Sequence, residues 1–261
     1  MTQIKNKPWA LSLVLFFSLY NICEPVEATK GISVENVAQK LADDVDVFAA
    51  VEYLSRQEDL VVAMKALNAL QRKAYRAKDI GRSMAFGRAG VQLGLSEGRR
   101  LAESNPDLSQ QLLGQAKAMS YNLASFSWPG WDEEGIRLST SDVVMGLDAA
   151  KVNLRLAVEL KRGATPMSNA HWVLGAHYLS DNALDTARDH FQKAETFAES
   201  DSGRLLAQGY LVLTDIVASP DDAAFRPSLA GIQKKLEPLE DGPFLSEHLT
   251  TALRVFTAAR S

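Results

Sequence analysis

The chain has 261 residues, with 28 lysines and arginines against 32 aspartates and glutamates, and its formal net charge is −4. This mildly acidic balance does not favour nucleic acid as a partner. Cys23 is the single cysteine, so no disulfide can form within the chain and an apolar core must hold the fold, for which this length is sufficient.

The first 28 residues predict a secretory signal peptide. Lys5 and Lys7 precede an apolar stretch from Trp9 to about Ile22, and Val26-Glu27-Ala28 resembles a small-residue cleavage site. We therefore expect residues 1–28 to be removed and the protein to be exported, periplasmic or extracellular, without stable membrane insertion. The alternative is an uncleaved anchor, but a membrane span needs about 20 apolar residues and this stretch is shorter.

The rest of the chain predicts an all-α protein. Apolar residues recur at helical spacing, period-two alternation is almost absent, and proline or small polar residues interrupt the pattern between helices. Residues 29–104 are expected to contain three helices, at about 34–54, 58–77 and 79–104. These helices represent either diverged repeats or an N-terminal cap.

The third of these helices has an unusual glycine content. Four glycines share one of its faces, at spacings of three, four and four residues: Gly87, Gly90, Gly94 and Gly98. Because glycine costs about 1 kcal/mol relative to alanine in a helix interior, this face predicts either close contact with another helix or a break near Gly94. The arginines of the segment are expected to form its solvated side: Arg82, Arg88, Arg99 and Arg100.

Catalytic and metal sites are not expected. Gly94 to Gly98 matches the G-x-S-x-G form of a hydrolase nucleophile elbow, but that chemistry needs a strand before the serine, and the spacing around Ser96 is helical. The four histidines do not share the spacing of metal ligands, and His171 is expected to be partly buried with a hydrogen-bond partner. No cofactor is implied.

Residues 105–261 are predicted to form helical hairpins and a terminal helix. Four expected helix starts carry proline behind a capping residue: Asn105-Pro106, Thr165-Pro166, Ser219-Pro220 and Gly242-Pro243. Pro227 is expected to delay the third of these helices until about Arg226. The last segment places apolar residues on one stripe, which predicts a helix covering the open end of the stack: Leu245, Leu249, Leu253 and Phe256.

The clearest hairpin lies between Ser168 and Asp201. Its first helix carries one set of spaced residues and its second another, around a turn at 180–182: Leu174, Gly175 and Tyr178, then Ala187, Phe191 and Ala194. The small residues Gly175 and Ala187 allow the two backbones to approach each other. Gly209 follows Gly175 by 34 residues, and an upstream segment repeats much of the pattern: Leu123, Ala124, Ala150, Leu154 and Ala157.

This pattern resembles the tetratricopeptide repeat, over about Gly114 to Glu237. The resemblance implies a right-handed superhelical stack of antiparallel hairpins that binds a protein or peptide partner in a concave groove. It also implies that one face of the hairpin's first helix lines this groove: Asn169, Trp172, Ala176 and Leu179. Trp172 would then anchor the partner, and the alternative is that its indole packs against the preceding hairpin.

The upstream hairpin contains an insertion, because 26 residues separate Ala124 from Ala150 where 12 separate Gly175 from Ala187. It begins with Trp128-Pro129-Gly130-Trp131, and long loops are often functional. Trp128 and Trp131 either present two rigid aromatic faces to a peptide or sugar, or fold back as a plug over the open end of the hairpin.

The sequence therefore favours a binding module, a scaffold or adaptor, without catalysis of its own. The alternative is an envelope protein that handles a small molecule or glycan, including an enzyme that uses the loop from Trp128 to Glu134. In that protein Glu133 or Glu134 would perform acid–base chemistry in a deep pocket. A third option is a structural spacer in an envelope assembly.

Overall fold

The computed structural model describes residues 33–258. Eleven α-helices occupy this part of the chain: α1 (Val34–Asp44), α2 (Val47–Ser55), α3 (Leu60–Arg76), α4 (Ile80–Arg100), α5 (Pro106–Phe126), α6 (Thr140–Glu159), α7 (Ala164–Ser180), α8 (Leu184–Phe197), α9 (Asp201–Ala218), α10 (Phe225–Leu236) and α11 (Gly242–Ala258). The predicted signal peptide, residues 1–28, lies outside the described residues and its cleavage stays a prediction.

The prediction of an all-α fold is confirmed, since no strand occurs between residues 33 and 258. Each helix packs mainly against its neighbours in the chain, and helices two positions apart also meet, as α3 meets α5 and α9 meets α11. This sequential packing is the arrangement that stacked hairpins require, because each hairpin buries its apolar face against the next one.

Local capping explains most helix boundaries. The Asn105 side chain accepts a hydrogen bond of 3.2 Å from the Leu108 N–H, which starts α5 as predicted. The prediction of one helix over 34–54 is wrong, because the Asp46 side chain accepts from the Ala49 N–H and begins a second helix. Thr165 does not cap α7, since its hydroxyl donates to the Glu199 carboxylate and the helix begins at Ala164.

The glycine face of α4 packs directly against α5. A Cβ atom added at Gly94 would lie 2.8 Å from the Ala116 Cβ and 2.9 Å from the Leu112 carbonyl oxygen. α4 continues without a break, and all four glycines are buried. The prediction of close helix contact is therefore confirmed, and the alternative of a break near Gly94 is wrong.

We expect Gly94→Ala to lower the free energy of unfolding by about 1–3 kcal/mol, because the added methyl group overlaps α5. Gly231→Ala is the matched control in α10, where an added Cβ meets nothing within 4 Å. The control should raise stability by up to about 1 kcal/mol through helix propensity. Urea unfolding of both variants measures the difference, and a stabilising effect at Gly94 would contradict the packing described.

The α7–α8 hairpin has the close approach predicted for it. A Cβ atom at Gly175 would lie 2.9 Å from the Phe191 ring and 3.2 Å from the Ala187 carbonyl oxygen. In the next hairpin Gly209 instead packs against Leu249 of α11. The terminal helix thus covers α9 and α10, as its apolar stripe predicts.

Candidate functional site

The insertion between α5 and α6 folds into the protein. Its first residues form a 3-10 turn over Pro129–Trp131, which ends at Asp132 in the left-handed conformation, with φ of 44°. Trp128 is 2% exposed, and its indole N–H donates to the carbonyl of Ala176 on α7 at 2.8 Å. The Trp131 indole donates to the Ser125 carbonyl at 2.7 Å. Both indole donors are therefore satisfied by backbone oxygens.

Aromatic rings from three helices surround the turn. The centroid of the Trp128 ring lies 5.9 Å from that of Trp172, 6.0 Å from that of Tyr210 and 5.4 Å from that of His248. Trp131 stacks on His248 at 4.1 Å. We call this group the tryptophan cluster: Trp128, Trp131, Trp172, Tyr210, Phe244, His248 and Phe256. Its edge-to-face, tilted and stacked contacts are those that aromatic rings prefer.

The structure brings the two predicted sets of site residues together. The chain's own insertion covers Trp172 and Ala176 on the α7 face expected to line a groove, and they are 8% and 0% exposed. Leu179 is also buried, at 2% exposure, and Asn169 is half-buried. Trp172 packs between the loop of the preceding hairpin and Tyr210 of α9. Of the two arrangements proposed for the loop, the structure has the inward-folded one.

Ion pairs hold the remainder of the insertion at its two sides. The Asp132 carboxylate lies 2.7 Å from the Arg254 guanidinium of α11. On the other side, the Lys78 amine donates to the Glu134 carbonyl and lies 3.9 Å from the Glu133 carboxylate.

All four histidines of the chain lie in surroundings that oppose protonation. Burial lowers the pKa of His248 to about 3 and that of His177 to about 4. His171 Nδ1 lies 3.0 Å from His190 Nδ1, which confirms the predicted partner, and burial together with the neighbouring imidazole lowers the pKa of His171 to about 4. Burial also lowers the pKa of His190.

The histidines do not converge on one site. His177 Nε2 lies 2.8 Å from the Ala124 carbonyl oxygen, so this nitrogen carries the proton and donates it. The Tyr210 hydroxyl lies 3.1 Å from His248 Nε2 inside the tryptophan cluster. Within residues 33–258, no three or more His, Cys, Asp or Glu side chains are grouped so that they could hold a metal ion.

An open groove that the sequence did not predict runs between α4 and α6. Its volume is about 760 Å³, with Leu123 of α5 at its floor. Val91 and Leu95 line one wall, and Val144 and Val152 line the other. Arg88, expected at a solvated surface, borders this groove, and Val144 is 56% exposed. We call it the α4–α6 groove.

The sequence contains a signal for this groove. On α4, Val91 and Leu95 form an apolar row beside the glycine face. The row and the glycine face together make an apolar surface that is wider than contact with one helix requires. At the C-terminal ends of the two walls, Arg99 lies 3.6 Å from Glu159 and bridges α4 and α6. The groove thus has an apolar interior and charged residues at its border.

Within residues 33–258, none of the helices combines the length and the apolar character that a membrane span requires. Comparison of the chain with protein-family models, with curated proteins and with solved structures gives no significant match. What can be proposed about its function therefore depends on its own residues and geometry.

Proposed function

We propose that the chain is an exported helical-repeat module that binds a protein or peptide partner, as a scaffold or adaptor without catalysis of its own. Its hairpins are proposed to stack as a right-handed superhelix of the tetratricopeptide type. The contact of Gly175 with Phe191 and Ala187 in the α7–α8 hairpin supports this assignment. Helical repeats of this kind present preformed surfaces to their partners.

The α4–α6 groove is the observation that carries the proposal. It is open to solvent, it has an apolar interior, and its walls are two long helices that α5 holds apart. An apolar cleft of this kind on a protein surface marks a binding site. The α7 face that the family resemblance suggests is covered by Trp128, so the accessible groove is the better candidate surface.

The shape and charge of the groove favour an amphipathic helix as its occupant. From Arg88 to Arg99 and from Ser141 to Val152, each wall contributes residues over about three helical turns, or roughly 16 Å. Such parallel apolar rows accept a partner helix with anchors at i, i+3, i+4 and i+7. Arg88 forms no ion pair with a carboxylate in residues 33–258, which favours an acidic residue at the edge of that helix.

Site-specific photo-crosslinking in the cells that produce the protein tests this proposal. A photoreactive phenylalanine analogue at Val144 should form a covalent adduct with one partner protein, because this side chain borders the groove and is 56% exposed. Val158 is the matched control, since it is also on α6 and 59% exposed but does not line the groove.

An adduct at Val144 and none at Val158 would support the proposal. Once the partner is identified, Val144→Arg should weaken its binding at least tenfold and Val158→Arg should leave it unchanged, because a charge in an apolar groove is costly to bury. Equal adducts at both positions, or no adduct at Val144, would show that the groove is not the partner surface.

A further inference from the structure

The guanidinium of Arg162 lies across α5 at a glycine. Arg162 belongs to the short link between α6 and α7, and a Cβ atom added at Gly114 would lie 2.6 Å from its Nη2 atom. The glycine leaves room for the guanidinium at this point, and a methyl group there would displace it. Lys117 follows Gly114 by three residues and therefore lies on the same side of α5, one turn along. Two cationic side chains from different elements thus lie on the same side of α5, near enough for the charge of Arg162 to affect the Lys117 amine.

This pair has no counter-charge among the described residues. Neither the Lys117 amine nor the Arg162 guanidinium forms an ion pair or a side-chain hydrogen bond within residues 33–258. The absence is notable in a chain that has 32 acidic residues against 28 basic ones. Lys117 is also half-buried, so its charge is not fully solvated.

The surroundings of Lys117 oppose its protonation. Burial, with the positive charge of Arg162 as a second cause, lowers the pKa of its amine to about 8. A half-buried ammonium beside a like charge is unfavourable unless an anion is also present. Asn153 donates to the Lys117 backbone carbonyl at 2.6 Å, which fixes α6 against α5 at this point. The backbone that carries Lys117 is therefore held in place by α6.

We propose that Lys117 and Arg162 form a binding site for an oxyanion, either a carboxylate or a phosphate. The ammonium supplies a compact charge, and the guanidinium supplies parallel N–H donors that match two oxygens of one group. The site lies apart from the α4–α6 groove, whose lining includes neither residue. It therefore stands independently of the function proposed above.

Lysine titration by NMR tests the site with defined anions. The lysines of the protein are labelled by reductive 13C-methylation, and the Lys117 signal is assigned by its loss in Lys117→Arg. Inorganic phosphate and glutarate are added in separate series, each at constant ionic strength set with NaCl. We expect saturable shifts of the Lys117 signal and a rise of its apparent pKa from about 8 towards 10.5.

Two neighbouring cations give a matched pair of variants. Arg162→Gln removes the guanidinium charge at an exposed position and should weaken anion binding about tenfold or more. Lys161→Gln, at the adjacent exposed position, should leave the affinity unchanged. Saturation by phosphate alone would assign the site to a phosphate, and saturation by glutarate alone would assign it to a carboxylate.

Two results would overturn the proposal. The first is that neither anion shifts the Lys117 signal more than NaCl does. The second is that Arg162→Gln and Lys161→Gln weaken binding equally, since screening by general positive charge would then explain the effect.

Discussion

Trp128→Ala is expected to lower the free energy of unfolding by about 3–5 kcal/mol, the range for removing a large buried aromatic side chain. Trp128 is among the largest fully buried side chains, at 2% exposure, and its ring touches aromatic residues of α7, α9 and α11. The substitution also leaves the Ala176 carbonyl without its indole donor. Urea unfolding monitored by far-UV circular dichroism measures this loss.

Trp131→Ala is the matched control, because Trp131 belongs to the same turn but is only half-buried. It should cost less than Trp128→Ala, since less apolar area and fewer ring contacts are removed. Trp128→Phe should recover part of the loss by filling the space without restoring the hydrogen bond. If the two alanine variants were equally stable, Trp128 would not be the centre of the cluster.

Acidification is expected to destabilise the protein strongly between pH 6.5 and pH 4. In the unfolded chain a histidine binds its proton near pH 6.5. In the folded protein burial lowers the pKa of His177 to about 4 and that of His248 to about 3. The unfolded state therefore binds protons first as the pH falls. The stability that comes from keeping these histidines neutral is fully present above pH 6.5 and is lost as the pH falls towards 4 for His177 and 3 for His248.

The size of the effect follows from the pKa differences. One pKa unit corresponds to about 1.4 kcal/mol, so the lowered pKa contributes roughly 3 kcal/mol at His177 and roughly 5 kcal/mol at His248. Burial lowers the pKa of His171 and His190 as well, which adds in the same direction. Urea unfolding at several pH values between 7.5 and 4.5 measures the slope of stability against pH.

A histidine variant separates this mechanism from general acid effects. His177→Gln removes one titrating group, so its free energy of unfolding should depend less steeply on pH between 6.5 and 4 than that of the original chain. A flat stability curve of the original chain in this range would contradict the assignment of neutral, buried histidines.

Helical spacing and local caps predicted most of the fold. Asn105 bonds a backbone N–H three residues ahead, so its capping role is contained in the sequence around it. Thr165 can cap a helix in the same way, but its hydroxyl donates to Glu199, 34 residues later in the link between α8 and α9. No local pattern indicates that partner. The glycine face of α4 was compatible with close helix contact and with a break near Gly94. The sequence of α4 could not decide between them because the atoms that pack on this face, such as the Ala116 Cβ, belong to another helix.

The candidate site was less predictable because it too depends on contacts between residues far apart in the chain. Trp172 and Ala176 were correctly placed on one face of α7, and both meet Trp128. What covers that face is decided by a loop more than 40 residues earlier in the chain, and helical periodicity carries no information about it. The α4–α6 groove was not predicted, because the apolar row of Val91 and Leu95 shows that this side of α4 is apolar but does not show that no neighbouring helix covers it.

In a linear array of hairpins each unit touches only its neighbours, so the ends can fray without disturbing the middle. The ring of Trp128, two residues after α5, meets that of His248 in α11, and Asp132 pairs with Arg254, across about 120 residues of chain. These links close the array from α5 to α11 into a loop. The part of the chain from α5 to α11 should therefore unfold in a single cooperative step, and removal of α11 should destabilise α5 as well.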